Sequence, residues 1–173
     1  LLESPQTLDS CQILALIGGF SFGDHIAAGR AFATRLRHRL ETPLRRFIQA
    51  GKLILGICNG FQIMVKLGLL PCVEGRLFDQ EVSVIHNDCG TFRDAWVTLS
   101  VDEKSPCIFT QGIQSIELPV RHGEGKFVPR DLGVRDGRLQ RNLAPMRYVD
   151  PATGQPTGLF PANPNGSVSA IAG

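Results

Sequence analysis

At 173 residues, 43% hydrophobic and 20% charged, the chain can bury one sizeable core. A net charge of +2 is too small for a nucleic-acid or anionic-membrane footprint, and no apolar run approaches the length of a membrane span. Five cysteines (11, 58, 72, 89 and 107) are an odd number without Cys-x-x-Cys spacing, which argues against a disulfide framework and a zinc ribbon. Reduced thiols in a cytoplasm and no metal site are the expectation.

The first expected element is a short apolar strand from Gln12 to Ile17, followed by a glycine-rich loop, Gly18-Gly19-Phe-Ser-Phe-Gly23-Asp24. Phe32, Leu36 and Leu40 recur every four residues, which predicts a helix over roughly Gly29 to Leu40. Glu41-Thr42-Pro43 reads as a break, with a second helix carrying Pro43 in its first turn and ending at Gly51. The arginines at 30, 35, 37, 39, 45 and 46 fall in this helical stretch and read as a solvated face. Leu53 to Ile57 is a continuous apolar strand of the kind buried in a parallel sheet, and a helix from Asn59 to Leu67 stops at Gly68. Strand and helix alternating in this order predict an α/β fold, a doubly wound, mostly parallel sheet with helices on both faces.

After Pro71 the texture changes. Glu81 to His86, Ala95 to Val101 and Ser115 to Val120 alternate like strands, and Asp136-Gly137, Asp150-Pro151 and Asn163-Pro-Asn-Gly166 read as turns. They predict an appended, partly antiparallel region of the same domain, spanning residues 1–173 overall. Ser167 to Gly173 reads as a strand without a closing turn, and the chain starts on Leu1. Both ends therefore suggest a piece of a longer protein.

The chemistry concentrates at Gly56-Ile57-Cys58-Asn59-Gly60, where an apolar strand turns directly into a helix. This is the cysteine counterpart of the Gly-x-Ser-x-Gly elbow. On so sharp a turn, side chains two residues either side of the nucleophile collide, which is the reason for the glycines. A helix N-terminus also favours negative charge on the sulfur. A buried structural cysteine is the plainer reading.

Attack on a carboxamide or ester carbon requires a base, its orienter and oxyanion donors. The N–H of Asn59 and the Gly18-Gly19 loop are candidate donors, although Gly18-Gly19 also suits a tight βα turn. Of the histidines, His38 falls on the arginine-rich face, while His25 and His86 adjoin Asp or Asn in loop-like sequence. His122-Gly123-Glu124-Gly125 is the most suggestive, since His-x-Glu can bring a carboxylate to an imidazole. The residues alone thus point to Cys58–His122–Glu124.

Several blocks recur together in one order: Gly18 to Asp24 with Ala28-Gly29, Gly56 to Gln62, His86-Asn87-Asp88, Leu118 to Phe127, Arg147-Tyr-Val-Asp150 and Pro161 to Ser167. Together, and over essentially the whole chain, they resemble the glutamine amidotransferase components of phosphoribosylformylglycinamidine synthases, which belong to the class I amidotransferases. The resemblance implies a flavodoxin-like core and a glutaminase of purine biosynthesis. Cys58 is then the nucleophile, Gly19 and Asn59 the oxyanion donors, and Gln62 with Gly18 the holders of substrate glutamine. His122, Gly123 and Glu124 lie beside the glutamine pocket or a partner face. The ammonia passes to a formylglycinamide ribonucleotide synthetase component, which holds ATP and magnesium, with a small third subunit. No cofactor is expected on this chain, nor any nucleic-acid or membrane partner.

Two departures from the family pattern stand out. The family's His-Pro-Glu segment has no match within these residues, and neither does its first strand–helix–strand unit. The chain as given is therefore expected to show little glutaminase turnover by itself. A non-catalytic fragment or docking module, or another cysteine-elbow hydrolase, are the alternatives; Phe61-Gln62 and Asn163-Pro-Asn-Gly-Ser argue against the latter.

Overall fold

A computed structural model describes residues 1–173, whose packing divides them into two compact units, Leu1–Glu81 and Val82–Gly173. In the first, a short α1 (Thr7–Ser10) precedes β1 (Ile13–Leu16), a 3-10 turn over Ser21–Asp24, α2 (Arg30–Gln49), β2 (Leu53–Gly56) and α3 (Asn59–Leu67). Strands β1 and β2 are parallel, in register from Ile13↔Leu53 to Leu16↔Gly56. A parallel pair joined through a helix is the α/β class the sequence predicts.

Helix α2 is one continuous helix of 20 residues, not two. Pro43 removes one backbone donor, a cost of about 3 kcal/mol in a helix interior. What carries the helix through is its apolar face. Leu36, Leu40, Leu44 and Phe47 stay buried on one side across the proline, packed against Ile63 and Leu67 of α3. Gly51, at φ 71°, follows the helix end, and Gly68, at φ 72°, stops α3 as expected.

The second unit contains β3 (Val82–His86), β4 (Arg93–Val101), β5 (Ser115–His122), β6 (Glu124–Pro129), α4 (Leu132–Gln140) and β7 (Met146–Tyr148). All its pairings are antiparallel: β3 with β6, and the three-stranded sheet β5-β4-β7. Gly123 separates β5 from β6, so the chain leaves one sheet and enters the other within one residue.

Two expectations fail here. Asp136-Gly137 lies inside α4, because Asp131 caps that helix, accepting from the Val134 N–H at 2.8 Å. Ser167–Gly173 is no strand. Its centre is a 3-10 turn over Val168–Ala170, with Ser169 at φ 55°, and only Ile171 bridges to Arg147. The winding starts at Ser167, whose hydroxyl is already held by the Asn165 side chain and the Phe127 N–H. Helix α4 also buries Arg138, stacked 4.2 Å from the Phe127 ring. Burial and the nearby Arg147 push its guanidinium down to about 9, which leaves it charged at neutral pH.

Candidate active site

Cys58 sits between β2 and α3, exposed, with φ 53° and ψ −113°. For a non-glycine residue this backbone costs on the order of 1–3 kcal/mol, so the surroundings must enforce it. They do so through the two flanking glycines. A Cβ on Gly60 would fall 1.8 Å from the Leu16 carbonyl oxygen, and one on Gly56 would fall 2.9 Å from the Gly60 carbonyl. The helix thus starts pressed against the end of β1, and the turn has room for a side chain only at its tip.

The glycine-rich loop lies against that tip. A Cβ on Gly18 would meet the Cys58 Cβ at 3.3 Å. Gly19 adopts φ 136°, with nothing within 4 Å of the place its Cβ would take. The end of β1 therefore offers bare backbone beside the sulfur, as an oxyanion site requires.

The Asn59 side chain ties this loop to the elbow. It is 2% exposed. Its Oδ1 accepts from the Ser21 N–H at 3.3 Å, and its Nδ2 donates to Asp24 Oδ1 at 3.2 Å and to Gln62 Oε1 at 2.9 Å. Asp24 Oδ1 in turn accepts from the Gly29 N–H at 2.9 Å, at the start of α2. Gln62 is itself 6% exposed, so in this structure it braces Asn59. Ser21 and Asp24 brace the elbow through Asn59, and the motif reading did not single them out. The one signal for them was the left-handed backbone implied by Gly23-Asp24, since Phe22, Gly23 and Asp24 all have positive φ.

Gly18, Gly19, Cys58, Asn59 and Gln62 thus come together in the first unit. His122, Gly123 and Glu124 occupy the β5–β6 junction of the second. His122 closes β5 opposite Arg93, while Glu124 opens β6 opposite His86. The His122 Nδ1 lies 3.2 Å from Asn87 Oδ1, so the ring is oriented by an amide rather than by Glu124. This corrects the His122–Glu124 pairing that the His-x-Glu spacing suggests. His25 and His38 are exposed in the 3-10 turn region and on α2, and His86 ends β3. No cluster of three or more His, Cys, Asp or Glu side chains could hold a metal ion. The five cysteines form no disulfide.

Burial pushes the His122 imidazole below the ordinary histidine range. The sign follows directly. Below the unfolded pKa of about 6.5 the unfolded chain gains a proton that the folded unit resists, so stability falls as pH drops through that range. Thermal unfolding at pH 7.5 and 5.5 is expected to show a lower Tm in acid. His122→Asn should flatten that slope relative to the parent.

The parallel strand pair and the cysteine elbow between β2 and α3 fit a glutamine amidotransferase domain. Residues 1–173 match the model of the CobB/CobQ-like glutamine amidotransferase domain, and the chain belongs to that family. Among its relatives, the phosphoribosylformylglycinamidine synthase subunit PurQ of Dehalococcoides mccartyi is 41% identical, covering 100% of this chain and 65% of the relative. The corresponding subunit of Archaeoglobus fulgidus is 38% identical over 99% of this chain and 65% of the relative. The solved structure of PurLQS from Thermotoga maritima aligns with 94% of this chain and 62% of that chain, with TM-score 0.64 and 27% identity. The chain thus spans about two thirds of the length of these relatives. No helix is long and apolar enough to cross a membrane.

Proposed function

We propose that this chain is the glutaminase part of a phosphoribosylformylglycinamidine synthase. The observation that carries the reading is Cys58, held exposed in a strained elbow beside the bare Gly18-Gly19 backbone. The names of its PurQ relatives supply the pathway.

The sulfur attacks the side-chain carbonyl carbon of glutamine. The N–H groups of Gly19 and Asn59 receive the oxyanion of the tetrahedral intermediate, the carbon–nitrogen bond breaks, and ammonia leaves with a γ-glutamyl thioester formed. Water then attacks the thioester carbon, glutamate departs and the thiol is restored. Gly18 and Gln62 line and brace the glutamine site, and the resemblance assigns His122, Gly123 and Glu124 to a substrate or partner role. The resemblance gives base chemistry to a His-Pro-Glu segment, a tripeptide that these 173 residues lack. Ammonia passes to a synthetase component that holds ATP and magnesium, accompanied by a small third subunit. The PurLQS assembly containing a similar chain supports those partners.

A diazoketone analogue of glutamine tests the site without requiring turnover. The sulfur bonds to the diazo-bearing carbon and dinitrogen leaves. Intact mass is expected to show a single adduct on the parent chain and none on Cys58→Ala. A folded parent that takes up no label would sink the proposal.

A further inference from the structure

Asp24 takes no step in the reaction above, yet its carboxylate joins the starts of two helices in the first unit. Its Oδ1 accepts from the Gly29 N–H at 2.9 Å, at the start of α2, and from Asn59 Nδ2 at 3.2 Å, at the start of α3. Its Oδ2 lies 3.4 Å from the same Nδ2. An ionised carboxylate only accepts, so it fixes which end of the Asn59 amide carries the N–H groups. The amide Oδ1 is thereby turned to the Ser21 N–H, from which it accepts at 3.3 Å.

Ser21 follows Gly19 by two positions. Its hydroxyl is buried without a partner, so its N–H is what ties it to Asn59. On the other side of that tie is the elbow. Asn59 is the first residue of α3, a position whose N–H has no acceptor within a helix. Neither that N–H nor the Gly19 N–H donates to another group of the chain. Two unspent donors thus stand beside Cys58, one on each side of the Ser21–Asn59 bond. The two segments are in contact there, since a Cβ on Gly18 would meet the Cys58 Cβ at 3.3 Å.

We propose that Asp24 is a positioning residue for the oxyanion site: by holding the Asn59 amide, it sets the spacing between the Gly19 and Asn59 N–H groups. The inference deepens the glutaminase reading, on which the identity of the natural oxyanion rests. Without the carboxylate, Nδ2 is free to turn and the Ser21 N–H loses its fixed acceptor. The loop that carries Gly19 is then released from the elbow, while the flanking glycines still hold the sulfur in place.

Two reagents that meet the same sulfur separate this role from plain stability. With 4-nitrophenyl acetate the sulfur bonds to the carbonyl carbon, the carbonyl oxygen becomes an oxyanion, and 4-nitrophenolate leaves an acetyl thioester behind. With iodoacetamide the sulfur bonds to the methylene carbon, iodide leaves and no oxyanion forms. In both cases the thiol proton passes to buffer. Peptide mass spectrometry after short exposures gives both rates at Cys58. Each reagent needs the thiolate, so the acylation-to-alkylation ratio cancels a change in thiolate fraction. A net hydrogen bond is worth about tenfold, so the ratio should fall by about that factor in Asp24→Ala. In Asp24→Asn, whose Oδ1 can keep both bonds, it should stay within about threefold of the parent.

Asn59→Asp keeps the backbone N–H but sets a second carboxylate against Asp24, so its ratio should also fall by about tenfold. Adding Asp24→Asn to it puts a donor opposite an acceptor again and should recover most of that loss. This rescue decides the matter even where Asp24→Ala does not fold. An Asp24→Ala chain that melts lower but keeps the parent ratio overturns the proposal, since a merely structural aspartate would behave that way. An absent rescue in the double variant overturns it as well. A folded parent that takes no diazoketone label, with the ratios as expected, sinks the glutamine reading alone and leaves the positioning role of Asp24 standing.

Discussion

Gly60→Ala is expected to abolish labelling of Cys58 by the glutamine analogue and to destabilise the first unit by more than the roughly 1–3 kcal/mol of ordinary core overpacking. The added methyl would sit 1.8 Å from the Leu16 carbonyl oxygen and 2.5 Å from its carbon. That carbonyl cannot swing aside, because it accepts the Ile57 N–H at 2.9 Å and so closes the β1–β2 ladder. Nor can α3 retreat alone. Ile63 and Leu67, both nearly inaccessible, hold it in the core with Leu36 and Leu40 of α2. Gly51→Ala makes a control for backbone strain alone, since φ is 71° there but the methyl would meet nothing within 4 Å. Circular dichroism melting and intact mass read the two effects. Unchanged melting with full labelling of Gly60→Ala would show that the tight elbow is not what holds the nucleophile.

Asn165→Ala is expected to cost the second unit about 3 kcal/mol, more than Ser167→Ala, as measured by urea unfolding. Asn165 is 2% exposed and uses both ends of its amide. Nδ2 donates to the Gly125 carbonyl at 2.8 Å and to the Tyr148 hydroxyl at 2.9 Å, while Oδ1 accepts from the N–H and hydroxyl of Ser167. Truncation strands the Tyr148 oxygen, which is so buried that its phenol is pushed up to about 12. An unsatisfied buried polar group costs about 1–3 kcal/mol, and the lost bonds add to it. Gly125 retains one partner, the Ser167 hydroxyl at 3.2 Å, which keeps the loss from being larger. Because His122 lies over Gly125, the same change should loosen the histidine. A loss under about 1 kcal/mol would mean that water replaces the amide.

What could be read from the sequence was what is local. The run from Leu53 to Leu67 carries its own strand pattern, both elbow glycines and a stop at Gly68, and the structure places β2 and α3 within a residue of that reading. The α2 boundary failed for a physical reason: the proline signal is local, whereas the burial of Leu44 and Phe47 that overrides it is tertiary. Helix α4 was hidden because its buried position four residues after Val134 is Arg138, a charged residue where periodicity requires an apolar one. In the site, Cys58 and its glycines were legible, and so was the loop that faces them. The Asn59–Asp24 and Asn87–His122 bonds span 35 residues of sequence each, and no spacing rule reaches that far. His122-Gly123-Glu124 misled for the complementary reason. Residues close in sequence were assigned to one constellation, and Gly123 sends them to different sheets.

The backbone at Cys58 has an evolutionary consequence. Its φ of 53° and ψ of −113° suit glycine better than any other residue, so Cys58→Gly should fold at least as well as the parent while losing the sulfur. Selection for expression or thermal tolerance alone would drift toward that substitution. A cysteine at this position persists only under continued selection for what the thiol does.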